Sequence, residues 1–387
     1  MDFVFNHDIN MLGPSASLAL MDKARSLKSA GGDIIGLAGG EPDCDTPAAA
    51  AYAGITGICK GYTHYTASRG IIPLRERIVK KLREENHIDC GIGNILVTPG
   101  GKFSIYLALR TLLNPGDEAL ILDPSWVSYA PIVIASGGKP VGIALNFDDH
   151  YTITRQSLEN HVTEKSKVLI VNSPNNPTGR VMTQKEADII CEFVKAHNLI
   201  VISDEIYEKI IFDGRTHISL ASTEGMRDRV ITINGFSKSV AMTGWRIGYL
   251  CADERIVNKI FMLYQHTMTC ISEFSQQAAT VALDLTDEVE TMRLRYQDRR
   301  DKFIGALQQI PGVTCLMPEG AFYAWVKVDY KGMDAQQLCD YLLENAGVAA
   351  VPGDAYGKGG DNCIRMSFAN ALEDLMEAAK RIAVALK

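Results

Sequence analysis

The chain has 387 residues, 47% of them hydrophobic, and a formal net charge of −7 at pH 7. This length is enough to bury a large core, and we expect two unequal domains in one folding unit. The acidic balance without a dense basic tract argues against a nucleic-acid surface, and nine scattered cysteines, with no signal-peptide pattern and no membrane-length apolar run, indicate a cytoplasmic protein with reduced thiols.

Short apolar runs dominate the middle of the chain. Seven of them lie between residues 94 and 250, and helical patterns at 101–113 and 183–197 separate some of them. The runs are NILVT, EALIL, PVGIAL, VLIV, LIVIS, VITIN and RIGYL. They predict an α/β fold with a mostly parallel seven-stranded sheet covered by helices. Because the connection from VITIN to RIGYL is short for a crossover helix, we expect RIGYL to run antiparallel.

The pattern changes after about residue 285. A long charged helix through residue 308 is followed by strand-like segments and a closing helix from residue 371. The strand-like segments are VTCLM, AFYAWVKV, VAAVP and CIRMSF. This part of the chain predicts a smaller α+β domain.

A glycine-rich turn follows the first strand-like run. Gly100, Gly101 and Lys102 come after NILVT and open a helical pattern. Glycines let the backbone approach an anion, and amide groups at a helix start bind phosphate. The turn therefore predicts a phosphate-binding helix start.

Polar segments also follow the later runs. The segment NSPNNPTG at 172–179 forms a turn rigid enough to hold an Asn amide in one position, although by itself it is only a well-specified loop. Asp204 and Tyr207 follow LIVIS, at the edge where open α/β sheets bind ligands. A carboxylate there can pair with a protonated ring nitrogen of a cofactor. The alternative is that this segment caps a helix and that Tyr207 packs in the core.

The run GFSKSVAMTGWRIG places Lys238 and Arg246 among small residues after VITIN. Burial and neighbouring positive charge lower the pKa of a lysine and let it form an imine. The guanidinium fork of Arg246 suits a phosphate. Most isolated lysines are solvated surface groups, so this pair gains its weight from the other motifs. Together they indicate covalent binding of a phosphorylated aldehyde, pyridoxal 5'-phosphate.

These motifs resemble those of the class I and II aminotransferases of pyridoxal-phosphate fold type I, in the branch that includes bacterial aspartate aminotransferases. The resemblance runs through LAGGEPD, YTHYTASRG, TPGGK, NSPNNPTG, SDEIYE, GFSKSVAMTGWRIGY and IRMSFAN. It implies a large cofactor-binding domain at 46–284 and a small domain made of 1–45 and 285–387. It also implies a homodimer with shared active sites.

Carried over by position, the resemblance implies a role for each site residue. Lys238 would form the internal aldimine, Asp204 would pair with the pyridine nitrogen, and Tyr207 would contact the phenolate oxygen. The other implied cofactor contacts are Gly100, Gly101, Lys102 and Arg246 at the phosphate, Trp126 stacked on the ring, Asn176 at the phenolate, Ser237 next to Lys238, and Tyr65 reaching the other subunit's phosphate. The implied substrate contacts are Gly40, Trp126, Asn176 and Arg365, the last of which grips the α-carboxylate.

Without the resemblance, two of these residues have plainer interpretations. Trp126 follows the apolar run EALIL and would be assigned to core packing. Arg365 lies in the alternating segment CIRMSF and would be assigned to the exposed side of an edge strand.

The chain departs from the family pattern at three places. Gly235 stands where many relatives carry a serine three residues before the lysine, which puts one phosphate contact in question. Cys44 replaces a common aromatic residue near the mouth of the expected site. The segment 264–277, YQHTMTCISEFSQQ, is less typical of the family, and in relatives it approaches the neighbouring active site.

The implied activity is a ping-pong transamination between an amino acid and a 2-oxo acid, with 2-oxoglutarate as the expected acceptor. Lys102 matches a lysine that meets the distal carboxylate in some aspartate-using relatives, which makes aspartate the expected donor. It could equally be a counter-charge to the phosphate or a solvated residue. The alternatives are a carbon–sulfur β-lyase and an aromatic or alanine-type aminotransferase. A transcriptional regulator is disfavoured because the motifs begin by residue 37.

Overall fold

The computed structural model describes residues 3–14 and 16–387, in which helices and strands alternate through the middle of the chain. The helices are α1 His7–Asn10, α2 Ala16–Ser29, α3 Ala48–Cys59, α4 Ile72–Glu85, α5 Gly101–Leu112, α6 Tyr129–Ala135, α7 Arg155–Glu159, α8 Gln184–Ala196, α9 Glu254–Thr267, α10 Glu273–Ala282, α11 Thr286–Leu307, α12 Ala335–Ala346 and α13 Leu372–Ala385. The strands are β1 Ile35–Gly36, β2 Ile95–Thr98, β3 Glu118–Asp123, β4 Lys139–Ala144, β5 Ser166–Asn172, β6 Ile200–Asp204, β7 Val230–Gly235, β8 Gly248–Cys251, β9 Val313–Cys315, β10 Tyr323–Val328, β11 Val348–Ala349, β12 Val351–Pro352 and β13 Cys363–Ser367.

The larger sheet confirms the predicted α/β architecture. Within the described residues it has seven strands in the order β2-β8-β7-β6-β5-β3-β4. Strands β3 to β7 pair in parallel, and β8 is antiparallel to both β2 and β7. The antiparallel direction predicted for RIGYL is therefore confirmed. This strand begins at Gly248, which leaves Arg246 in the loop before it.

The predicted helices at 101–113 and 183–197 are also confirmed, as α5 and α8. The first turn of α8 shows how such a helix begins. Thr183 caps the start of α8: its hydroxyl accepts from the Glu186 amide at 3.3 Å, and the Glu186 carboxylate accepts from the Thr183 amide at 2.9 Å. Such a reciprocal pair satisfies backbone donors that the first turn of a helix leaves free.

The C-terminal strands form a second, antiparallel sheet in the order β12-β13-β10-β9. The segment VAAVP, predicted as one strand-like unit, is divided between two sheets. Val348–Ala349 pairs in parallel with Ile35–Gly36, whereas Val351–Pro352 pairs with β13. Only Ala350 separates the two halves. The first half pairs with β1 of the N-terminal segment, and the second half pairs with β13. The domain limits 46–284, 1–45 and 285–387 stay a prediction.

The hydrophobic core joins the two regions at the ends of the parallel strands. Tyr207, Ile210 and Phe212 follow β6, yet they pack with Phe303 and Phe322 of the C-terminal region in one buried cluster. The carboxyl ends of β3, β5, β6 and β7 therefore face the smaller sheet across a shared boundary.

The helices of the described residues are all too short or too polar to cross a lipid bilayer.

Candidate active site

A cavity of about 390 Å³ opens where the parallel strands of the large sheet end. Asp204 ends β6, while Trp126, Asn176 and Lys238 follow β3, β5 and β7. Parallel strands bring their carboxyl ends to one edge, so residues distant in sequence meet there. The predicted site residues that line the cavity are Gly40, Gly101, Lys102, Trp126, Asn176, Asp204, Tyr207, Ser237, Lys238, Arg246 and Arg365.

Two predicted site residues do not line this cavity. Gly100 lies directly behind it, where a Cβ atom would come within 2.9 Å of the Arg246 guanidinium. Tyr65 lies outside the cavity and is 86% exposed. The structure therefore gathers the predicted set except Tyr65, whose implied partner is a second subunit.

Lys238 presents a buried amine in the loop after β7. Its ammonium donates to the Gly40 carbonyl and lies 5.9 Å from the ring centre of Tyr207 and 5.8 Å from that of Phe322. Burial lowers the pKa of Lys238 to about 8, with Arg365 acting in the same direction and Glu41 opposing it. A lysine with such a pKa has a fraction of uncharged, nucleophilic amine near neutral pH.

Asp204 is a buried carboxylate held by two donors. The Tyr129 hydroxyl donates to its Oδ2 at 2.7 Å, and the Ile206 amide donates to its Oδ1 at 3.3 Å. Burial raises the pKa of Asp204 to about 6, although both hydrogen bonds act to lower it. Asp204 is thus largely ionised at neutral pH and faces the cavity without a neighbouring cation in direct contact among the described residues.

Tyr129 was missed by the sequence predictions. It is fully buried at the start of α6, and its ring packs edge-on against Trp126 with 5.3 Å between the ring centres. The available signal was its position in DPSWVSY, three residues after Trp126, so that one short segment supplies both a cavity wall and the partner of Asp204.

Tyr207 and the NSPNNPTG turn are held by partners that the sequence did not reveal. The Tyr207 hydroxyl lies 2.8 Å from the hydroxyl of Tyr323 on β10. The Asn172 side chain donates to the Asp204 carbonyl at 2.9 Å and accepts from the Asn176 amide at 2.8 Å. Asn172 therefore fixes the turn against β6, which places the Asn176 side chain in the cavity.

Arg365 is buried in a central strand, so the interpretation as an exposed edge residue is wrong. Strand β13 lies between β12 and β10, and Arg365 is only 3% exposed. Its guanidinium lies 4.3 Å from the Tyr323 ring centre and donates to Asn176 Oδ1 at 3.0 Å. Its Nε has no hydrogen-bond partner within the described part of the chain. A buried donor without a partner is costly, and a carboxylate ligand would satisfy it.

Three successive backbone carbonyls of the N-terminal segment face the cations of the site. Arg365 donates to the Ala38 carbonyl at 2.7 Å and to the Gly39 carbonyl at 3.4 Å. The next carbonyl, that of Gly40, accepts from Lys238. The segment after β1 is therefore a wall of the site that acts through its backbone.

A helix start and Arg246 form an anion cradle. Gly100 has φ 83°, and no described side chain caps the twelve-residue helix α5 that it precedes. A Cβ atom on Gly248 would lie 3.0 Å from the Gly101 amide nitrogen, so the two chains approach closely here. Arg246, itself at φ 52°, donates to the Thr243 carbonyl at 2.7 Å. Free amides and a guanidinium in this arrangement suit a phosphate group.

Lys102 lies at the same helix start, with its ammonium 4.8 Å from the Trp126 ring centre. Although much of the side chain is exposed to the cavity, partial burial of the ammonium lowers its pKa, and Arg246 lowers it further. Lys102 thus lies above the Trp126 ring and adds a second cation, next to Arg246, at this helix start.

Gly235 has a structural reason to lack a side chain. A Cβ atom at this position would lie 2.9 Å from the Cα of Gly248 on the neighbouring strand. Contacts this short are essentially forbidden, so a serine here would separate β7 from β8. The departure at Gly235 is therefore matched by the glycine opposite it.

The fold and the site define a class of enzyme. A mostly parallel sheet ends in a reactive amine, a buried carboxylate and an anion cradle, which together suit a ligand with a phosphate, a basic ring nitrogen and a group that reacts with amines. The chain belongs to the class I and II aminotransferases, whose family model matches residues 32–382. The family implies pyridoxal phosphate as cofactor.

Several named aminotransferases are similar to nearly the whole chain. An aspartate aminotransferase of Musicola paradisiaca is 42% identical, with 98% of this chain and 95% of the relative covered. An aromatic-amino-acid aminotransferase of Thermococcus litoralis is 39% identical, with 98% and 97% covered. The solved structure of Thermus thermophilus aspartate aminotransferase with maleate is 32% identical, covers 100% of both chains and superposes with a TM-score of 0.95. The chain is accordingly an aminotransferase of fold type I.

Proposed function

We propose that this aminotransferase binds pyridoxal 5'-phosphate through Lys238 and transfers the amino group of aspartate to 2-oxoglutarate. The observation that carries the proposal is the position of the Lys238 amine, which lies in the cavity with its pKa lowered to about 8. The same cavity holds the buried carboxylate of Asp204 and the buried guanidinium of Arg365.

The residues present fit this cofactor. The amides at the start of α5 and the guanidinium of Arg246 would hold its phosphate, with Ser237 and Lys102 nearby. Asp204 would hold the ring nitrogen, and Trp126 would cover the ring. Tyr207 and Asn176 would hold the phenolate oxygen. When bound, pyridoxal phosphate supplies an electron sink that stabilises negative charge at the substrate Cα.

The residues of the chain supply binding, orientation and proton transfer. Arg365, with its unpartnered Nε, binds the α-carboxylate of the substrate and so fixes the direction of the Cα–H bond. Lys238 Nζ accepts the Cα proton as a general base, which a pKa of about 8 permits. Asp204 holds a fixed negative charge at the ring nitrogen. Amino acid and 2-oxo acid use the same cavity in turn, which gives ping-pong kinetics.

Reduction with borohydride tests the attachment point. Treatment of the holoenzyme should fix a pyridoxyl group on Lys238, detected by peptide mass mapping. A pyridoxyl group on another lysine, or none at all, would contradict the proposal.

The acidic substrate is supported by the names of the relatives and by Lys102. The Thermus thermophilus structure was solved with maleate, a dicarboxylate. Lys102 adds a cation to the cavity near Trp126, where it can meet a distal carboxylate. We expect Lys102→Met to raise KM for aspartate about tenfold, an effect of one charge-assisted hydrogen bond. Equal losses with aspartate and phenylalanine would instead assign Lys102 to the cofactor.

The aromatic alternative has its own support in the Thermococcus litoralis relative at 39% identity. A screen of amino donors against 2-oxoglutarate, pyruvate and oxaloacetate distinguishes the two. Phenylalanine or tyrosine exceeding aspartate in kcat/KM would replace the aspartate proposal. Release of pyruvate and ammonia from a cysteine conjugate, without net amino transfer, would indicate a β-lyase instead.

We also propose a homodimer in which Tyr65 reaches the neighbouring active site. Support comes from the exposed apolar side chains of α3 and the segment that follows it, namely Tyr52, Ile55, Ile58, Tyr62 and Tyr65. Exposed apolar side chains that cluster in this way are uncommon on a monomeric protein and are typical of a subunit interface. Tyr65→Ala and Lys238→Ala should each lose activity alone. Mixing the two variants should restore it, because one mixed site receives Lys238 from one subunit and Tyr65 from the other. No restoration in a mixture shown to exchange subunits would contradict shared sites.

We propose a cytoplasmic location and the domain division 46–284 against 1–45 with 285–387. All nine cysteines lie in the described part of the chain and are free, which suits a reducing compartment. The second sheet, which is formed by β12, β13, β10 and β9, supports a distinct smaller domain. Fractionation of cells that express the protein tests the location.

A further inference from the structure

A buried polar network lies behind the active site, on the side of the Asp204 segment that faces away from the cavity. Its acidic members are Glu205, which is 1% exposed, and the Glu208 side chain, which is 7% exposed. The imidazole of His217 lies 2.8 Å from Glu205 Oε2, and Lys81 pairs with Glu208. None of these four residues lines the cavity or has a place in the mechanism above.

Hydrogen bonds tie the network into one unit. Glu205 accepts from the Ser219 hydroxyl at 2.6 Å and from the Ser203 hydroxyl at 2.9 Å. Asn86 donates to Glu208 at 2.6 Å and to Ser219 at 2.8 Å. Carboxylates buried in this way are stable only when their charges are balanced.

The charges balance only when His217 is protonated. Two carboxylates, Glu205 and Glu208, then face two cations, Lys81 and His217. Burial by itself lowers the pKa of His217, but Glu205 and Glu208 override this effect and raise the pKa above its ordinary value, against a small opposing contribution from Lys81. Loss of the imidazole proton would leave one uncompensated negative charge beside Asp204.

Besides Asp204 itself, the groups that face this network include Lys209, Glu85 and two residues of β8. Lys81 and Lys209 both contact Glu85, at 3.9 and 2.6 Å. On β8, the pKa values of Tyr249 and Cys251 are raised, so both stay protonated. His217 is therefore the member of the network that changes charge.

We propose that His217 is a positioning residue, which balances the charge of Glu205 and thereby keeps the adjacent Asp204 ionised toward the cofactor site. This inference rests on the proposed function, in which Asp204 holds the ring nitrogen. Glu205 follows Asp204 directly in the chain, and its negative charge favours the protonated form of Asp204. A positive charge on His217 weakens that effect, since opposite charges in contact cancel much of their field at a distance.

The test is a pH titration of the visible absorbance of the bound cofactor in the holoenzyme. His217→Gln can still donate to Glu205 but carries no charge. The uncompensated Glu205 should raise the apparent pKa of the absorbance change by roughly half a unit. The double variant His217→Gln/Glu205→Gln has lost both charges, and its titration should return close to that of the wild type.

The chain offers a matched control in His197. This residue pairs with Glu159 at 2.9 Å in a similar contact, but both side chains are about one-third exposed, at 31% and 32%. Solvent screens such a pair, and His197→Gln should leave the titration unchanged.

An unshifted titration in His217→Gln, with normal absorbance in the wild type, would overturn the inference and leave the proposed function intact. A double variant displaced further than the single one would assign His217 a purely structural role and would also overturn it. Absence of cofactor absorbance in the wild type would overturn both. If His217→Gln does not fold, NMR of the wild type decides: a protonated His217 imidazole at pH 7 supports the inference, and a neutral one contradicts it.

Discussion

Asp204 and Glu208 are buried carboxylates four residues apart, and their environments have opposite effects. Burial raises the pKa of Asp204 to about 6. Burial alone would also raise the pKa of Glu208, but Lys81, His217 and Lys209 together lower it to about 2. Glu208 is paired with a cation of the chain, Lys81. The carboxylate of Asp204 has no such partner and is left for a ligand to balance. An unbalanced buried charge therefore marks the functional side of this segment.

The largest expected effect concerns the amine of the cavity. Lys238→Ala removes the group that attacks the cofactor and accepts the Cα proton, and kcat should fall on the order of 10⁴-fold or more. Stopped-flow or coupled assays with aspartate and 2-oxoglutarate measure the loss. Far-UV circular dichroism should match the wild type, and a variant with ordinary activity would refute the assignment of Lys238.

Replacement of the unbalanced carboxylate should have the next largest effect. Asp204→Ala removes the fixed charge at the ring nitrogen, and we expect kcat to fall about 10² to 10³-fold while reduction still labels Lys238. An unchanged kcat would count against the position of Asp204 at the ring nitrogen.

The same residue should destabilise the protein when no cofactor is bound. Because the folded pKa of about 6 lies above the ordinary value of 3.8, ionised Asp204 lowers the stability of the apoprotein above pH 6, and this penalty disappears as the pH falls toward 4. Asp204→Asn should therefore raise the free energy of unfolding of the apoprotein at pH 8, by about 2 to 3 kcal/mol. Urea unfolding at pH 8 and pH 4 measures the difference.

Glu208 should show the reverse pattern. Glu208→Gln leaves the buried ammonium of Lys81 with only the more distant carboxylate of Glu85, at 3.9 Å, and the free energy of unfolding should fall by about 3 kcal/mol at pH 7. The folded pKa of about 2 lies below the ordinary value of 4.5, so the stabilisation by Glu208 is present above pH 4.5 and is lost as the pH falls toward 2. The variant and the wild type should therefore converge in acid. A stability loss that persists at pH 2 would contradict this origin.

The smallest expected effect concerns the hydrogen bond from Tyr129 to Asp204. Tyr129→Phe keeps the ring against Trp126 and removes the hydroxyl, which should lower kcat/KM about tenfold. The pKa of Asp204 should rise, because that hydrogen bond lowers it. Similar kinetics for the variant and the wild type would show that the Ile206 amide is sufficient to hold the carboxylate.

Much of the site could be predicted because it depends on local patterns. Apolar runs such as LIVIS identify buried parallel strands, and the polar residue after each run lies at the ligand-binding edge. Asp204 and Lys238 are both found by this rule. The antiparallel direction of β8 followed from the length of one connection.

The remaining features depend on contacts between distant segments. Tyr323 is recognised only through its contact with Tyr207, and His217 only through its contact with Glu205. The division of VAAVP between β11 and β12 is decided by the N-terminal segment, which pairs with one half of it. Such pairings leave no periodicity in the sequence: Tyr207 and Tyr323 are 116 residues apart, and Glu205 and His217, although only 12 residues apart, are joined by an irregular loop.

The carbonyls of residues 38, 39 and 40 give the N-terminal segment an importance that its side chains do not suggest. Arg365 and Lys238 are oriented by these peptide oxygens, and packing leaves little room for side chains on the same residues. Ala38 is 2% exposed, and a Cβ atom on Gly40 would lie 3.1 Å from the Tyr323 hydroxyl. A deletion of one residue would shift all three carbonyl oxygens and would remove the hydrogen bonds of both Arg365 and Lys238. Protein engineers who shorten or fuse this enzyme should therefore preserve both the spacing between β1 and Gly40 and the small residues within it.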